Sequence, residues 1–185
     1  NGNLSIVNDA ATYNLAVNPV LTNNQSLVLG GGNTTVTVPA ATPALNIGAI
    51  TINKTANTNT LTITVGNLAT GTITFTKGNI VTGTNLLYIP APTTAQVAGG
   101  VQSQGFTGAG ANSMVVGNVA KLFVNTGGIA GSTEATSVFP VGTGVVYRPA
   151  SLTFNPAFGF PTTPNATIVV IHMNSNPGGS TGLPI

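Results

Sequence analysis

The sequence predicts an all-β protein, with a β-solenoid-like or sandwich N-terminal half and a β-sandwich-like C-terminal half. Three observations carry that reading. Thr, Val and Ile, which fit a pleated backbone, are abundant, while the surface helix formers Glu, Lys, Gln and Arg are scarce. Apolar and polar residues alternate at period two in Thr35-Val36-Thr37-Val38, in Leu61-Thr62-Ile63-Thr64-Val65 and in Thr72-Ile73-Thr74-Phe75-Thr76. Turn chemistry recurs about every ten residues, as in sandwiches, barrels and solenoids.

Taken in order, strands of the first half are expected at Leu4 to Val7, Tyr13 to Val17, Ser26 to Leu29, Thr35 to Val38 and Leu45 to Ile52. Leu61 to Val65, Gly71 to Thr76 and Leu86 to Ile89 follow. Gly30-Gly31-Gly32, Asn57-Thr58-Asn59, Gly66-Asn67 and Gly78-Asn79 separate them with residues that tolerate a left-handed backbone. In the alternating strands one face is apolar and the other is Thr, which stays in water without charge and hydrogen-bonds across strands. Stacked Asn and Thr with Gly at the corners favour coils that set like residues above one another. No strict repeat fixes a period, so solenoid and sandwich both stay open for residues 1–90.

Pro90-Ala91-Pro92 ends this segment. Residues 91–112 are expected to form a Gly-, Ala- and Gln-rich connection, and 113–185 a second module. Alternation resumes at Ser113 to Val124, Ser137 to Val141, Val145 to Tyr147, Leu152 to Phe154 and Ala166 to Met173, before a turn-rich tail from Asn174 to Ile185. Phe139, Tyr147, Phe154, Phe158 and Phe160 gather in this half and suit a compact sandwich core.

Composition then bounds the function. Of 185 residues only Lys54, Lys77, Lys121, Arg148, Asp9 and Glu134 are charged, 3% of the chain, against about a quarter in ordinary domains. Hydrophobic content is 42%, so a core can form and low charge does not mean disorder. A net charge of +2 on well-separated cations makes no basic patch for nucleic acid. Weak repulsion between copies favours association. Cys is absent, which removes disulfides and thiolate metal sites. No apolar run reaches the ~20 residues that a membrane helix needs. A chain opening on Asn1 reads as a mature protein whose leader has been removed. The expected location is extracellular or cell-surface.

Catalytic chemistry finds few residues to use. Asp9 and Glu134 lie in different halves, which argues against a carboxylate pair for acid/base or glycosidase work. His172, the single imidazole, sits in Val169-Val170-Ile171-His172-Met173 and suits a strand-face residue better than a general base. One His and two scattered acids are too few for a transition-metal or calcium site. Gly30 to Gly32 lacks the Lys and Ser/Thr of a phosphate loop. The sequence therefore predicts no enzyme, no catalytic, cofactor-binding or metal-binding residues, and no cofactor. Asn-x-Ser/Thr triplets at Asn3, Asn24, Asn33, Asn53 and Asn165 are what so Asn- and Thr-rich a chain holds by chance. Arg148, between Tyr147 and Pro149, is expected to clamp loop carbonyls or stack on Tyr147.

Phe139-Pro140-Val141-Gly142-Thr143, followed by Tyr147-Arg148-Pro149-Ala150-Ser151-Leu152, resembles a signature of large secreted surface proteins of the Bacteroidota type. The phrase from Gly78 to Leu87 resembles the end of the β-helix-like segment that precedes that signature. Pro177-Gly178-Gly179 and Gly182-Leu183-Pro184 resemble the exit from the sandwich-like module. The resemblance runs from about Thr51 onward. It implies an exported, type IX-secreted protein of structural or adhesive type, with no catalytic residues to carry over. The chain departs from that pattern in being short and in showing no sorting domain at its end, so it is expected to be either a processed piece or a small subunit that reaches large size by polymerising.

These readings converge on a non-enzymatic structural protein that associates with itself into a surface filament, fibre or matrix, with strand addition as the contact. The alternative is an adhesin or binding module that recognises glycan or a surface through Asn, Thr and Tyr faces. Expected partners are further copies of the chain, with glycan or other surface proteins second. No nucleic acid and no transmembrane segment are expected.

Overall fold

The computed structural model of the chain describes residues 4–6, 12–14, 26–38, 45–89, 105–123, 135–154 and 166–171. Within them the protein is all-β, as its composition requires, and no helix occurs. The strands are β1 (Leu4–Ile6), β2 (Thr12–Asn14), β3 (Ser26–Leu29), β4 (Thr34–Thr37), β5 (Leu45–Asn53), β6 (Thr60–Thr64) and β7 (Leu68–Lys77). They continue with β8 (Asn79–Ile89), β9 (Phe106–Thr107), β10 (Val115–Phe123), β11 (Ala135–Phe139), β12 (Ala150–Phe154) and β13 (Ala166–Ile171).

One curled sheet holds all of these except β11 and β12, and its spatial order runs β1-β3-β5-β7-β8-β6-β4-β2. Odd-numbered strands stack in one row and even-numbered strands in the other. The rows meet where Leu68 and Ala69 of β7 pair with Leu87 and Tyr88 of β8. Every pairing along this path is parallel. Parallel neighbours cannot be joined by tight hairpins, so the chain travels round between one strand and the next in its row.

The register has a constant step along the odd row. Leu4 pairs with Leu27, Leu27 with Ile50 and Ile50 with Ile73, an offset of 23 residues each time. This stacks Leu27, Ile50 and Ile73 into one buried column and Leu29, Ile52 and Phe75 into another. Val36 with Ile63, and Leu61 with Ile80 and Val115, build the facing columns. Each such side chain contributes about 1.5–3 kcal/mol when buried, which lets the fold stand with few charges.

β10 lies parallel to β8, and β13 lies antiparallel to β10. The strand that opens residues 113–185 thus extends the sheet of the first half. β11 and β12 form a separate antiparallel hairpin whose Phe139 and Val141 enter the common core. Val145 to Tyr147, expected as a strand, is a bend closed by a bridge from Gly142 to Tyr147. Of the expected connection at 91–112, residues 91–104 lie outside the described residues. The remainder supplies β9, which pairs with β7, and a short turn between Gly110 and Ser113.

Candidate functional site

The residues weighed for catalysis, Asp9, Glu134 and His172, lie outside the described residues, as do the triplets at Asn3, Asn24 and Asn165. Among the described residues no three His, Cys, Asp or Glu side chains come together to hold a metal. The structure does bring together two kinds of feature: polar pins that lock successive turns, and strands that have a single partner among the described residues.

The first pin is Lys54. It lies just after β5 and is 2% exposed, a rare state for lysine. Its Nζ donates to the Gly30 carbonyl at 2.9 Å and to the Thr34 hydroxyl. Its backbone N–H donates to Lys77 at 2.9 Å, and the next residue, Thr55, donates to Gly31 at 2.9 Å. Three successive turns are therefore tied at one corner. Gly78 completes the corner with φ +95°, and a Cβ there would stand 2.4 Å from Lys54 Cγ. The Gly78-Asn79 turn signal has this physical cause.

Asn79 is the second pin, 2% exposed. Its Nδ2 donates to the Asn57 carbonyl at 3.0 Å and to the Gly144 carbonyl at 3.1 Å, while its Oδ1 accepts from Met114 N–H at 3.1 Å. One amide joins a turn, the approach to β10 and the β11–β12 hairpin. The hairpin tip is further held by Thr143, whose Oγ1 accepts from Val146 N–H at 2.9 Å, and by the Met114 sulfur, which accepts from Gly144 N–H at 3.3 Å. Val145 is 76% exposed on this tip. Arg148 is exposed, and its backbone N–H bonds to the Val141 carbonyl at 2.9 Å. Among the described residues its guanidinium makes neither the expected clamp nor a stack on Tyr147.

Lys121 of β10 is 3% exposed, with its Nζ 5.1 Å from the Phe106 ring centroid and 5.3 Å from that of Phe139. Both rings present negative faces to the ammonium. Phe106 also stacks on Phe75 with centroids 6.5 Å apart. Burial lowers the Lys121 pKa from 10.5 to about 8. Burial likewise raises that of Tyr147. Two of the four cations thus serve the interior, which the sequence reading did not foresee.

Among the described residues the strands of the large sheet with one partner are β1, β2, β9 and β13, and the two-residue β9 pairs only with β7. Of the others, again among the described residues, β1 pairs only with β3, β2 only with β4 and β13 only with β10. None of the four carries a charged side chain. On β13, Val169 and Ile171 are about half exposed while Val170 packs on the core. The outer faces carry Thr rows: Thr51 beside Thr74 beside Thr107, and Thr35 with Thr37 beside Thr62 with Thr64. The hydroxyls of Thr37 and Thr64, and of Thr74 and Thr107, lie 3.1 Å apart and bond to each other.

No protein-family model, curated protein or solved structure matches the chain. No helix among the described residues is long and apolar enough to cross a membrane.

Proposed function

We propose that the chain is a non-enzymatic extracellular structural protein, a subunit that associates with itself into a surface filament, fibre or matrix. The observation that carries this reading is the sheet that ends, at β1 and β2 on one side and at β9 and β13 on the other, in uncharged strands with a single partner among the described residues. Native monomers usually guard such edges with Lys, Pro or an inward charge. The two buried lysines leave this chain still fewer charges for that purpose. On this reading the first half is a solenoid whose next coil is supplied by a neighbour, and the C-terminal half is a sandwich-like module. Sedimentation of the purified chain over a wide concentration range tests it. Growth into large species is expected, and a strict monomer throughout overturns it.

The exposed Thr rows favour a second reading, a module that binds glycan or a solid surface. Against it, each hydroxyl pair that bonds at 3.1 Å has one donor already engaged and so offers a ligand fewer free groups. Binding to immobilised glycans or insoluble polysaccharide by the monomer, lost on Thr74→Val with Thr107→Val, would move the weight to this reading.

A further inference from the structure

We infer that the subunits join head to tail, with the β13 edge of one copy pairing against the β1–β2 end of the next; this rests on the self-association reading above. The occupant is a second copy of this chain, for three reasons. First, the contact needed at β1 and β2 is the one that the fold already makes within itself. β3 accepts β1, β5 accepts β3 and β7 accepts β5, each by backbone pairing of Thr-, Val- and Ile-rich strands. A strand of the same chemistry continues the sheet.

Second, β13 is such a strand and is paired on one side only among the described residues. Its sequence is Ala-Thr-Ile-Val-Val-Ile, six residues long, while β1 and β2 offer three each. Val169 and Ile171 stay about half exposed, and β10 is its one partner among the described residues. The other one-partner strand at this end, β9, is only two residues long, and the β11–β12 ribbon forms a separate sheet. Third, a net charge of +2 leaves no like-charge field to resist stacking of copies.

The two surfaces are different, so the contact is heterologous. Such contacts do not close on themselves unless the rotation forms a ring, and they give open filaments otherwise. A β13 edge pairing with another β13 would instead be two-fold and would stop at a dimer.

Two full-length variants test this by mixing. One carries Val169→Lys and Ile171→Lys on β13. The other carries Ser5→Lys and Thr12→Lys, at the register positions opposite Val28 and Thr35. Mass photometry is read alongside a thermal melt that confirms both are folded. Each variant alone is expected to be monomeric, and the equimolar mixture to give a one-to-one dimer and nothing larger. Dimers of the Ser5→Lys, Thr12→Lys variant alone would mean β13 pairs with itself and would overturn the proposal. Undiminished polymers from both variants would also overturn it, while leaving self-association standing. A wild-type chain that stays monomeric in the same buffer fails the underlying reading instead.

Discussion

The Asn79 amide donates to the Gly144 carbonyl at 3.1 Å across 65 residues of chain, from the base of β8 to the tip of the β11–β12 hairpin. The contact fastens a two-stranded ribbon, marginal by itself, to the curled sheet. The same side chain receives the Met114 N–H, so it is satisfied on both its donor and acceptor sides.

Asn79→Ala is expected to cost about 2–4 kcal/mol, because it leaves a buried N–H and its carbonyl partners unpaired. Denaturant unfolding measures this directly. Asn79→Asp, which sets a buried carboxylate oxygen against the Asn57 and Gly144 carbonyls, should cost at least as much.

Gly78→Ala is expected to destabilise by at least about 2 kcal/mol, since it meets both a left-handed backbone and the Lys54 side chain at 2.4 Å. Pairing it with Lys54→Ala should recover only part of that loss, as the backbone cost at φ +95° remains. A four-way cycle of melting temperatures separates the two components.

Val65→Gly is expected to stabilise the chain by about 1 kcal/mol. Val65 holds φ +75° in a three-residue turn closed by Gly66 N–H to Thr64 carbonyl at 3.0 Å. A β-branched residue is strained there, and at 62% exposure little packing is lost. A rise in melting temperature is the expected readout.

Much of this architecture is legible in the sequence, and the remainder is hidden for specific reasons. Alternation in Thr35 to Val38 and Leu61 to Val65 located β4 and β6 to within a residue, because one face of each is apolar and buried. The 23-residue step is present in Leu27, Ile50 and Ile73, yet the even row blurs it. Thr35 pairs with Thr62 and Thr62 with Val81, steps of 27 and 19, because the corner from Lys54 to Asn59 is long and the next is short. Lys54 and Lys121 carry no local mark of burial. Their partners, Gly30 and Thr34 in one case and Phe106 and Phe139 in the other, are distant in sequence and meet only when the sheet curls.

Lys121 gives the fold a pH dependence. Its pKa is about 8 when folded and 10.5 in the ordinary state, so between those values the unfolded chain binds more protons and stability rises with pH. Below about 8 both states are protonated and the burial penalty is fully present. Above 10 the partly buried Tyr147, whose pKa is raised by desolvation, acts in the opposite sense as unfolded tyrosine ionises. Melting temperature should therefore climb between pH 8 and 10, and Lys121→Met should flatten that climb.

Electron microscopy of native material that contains this chain, prepared without denaturing extraction, tests the central claim most directly. Regular filaments that resolve into this chain, with its sheet continuing from one subunit to the next, are the predicted result. Dispersed single particles with no repeating contact between copies would contradict it.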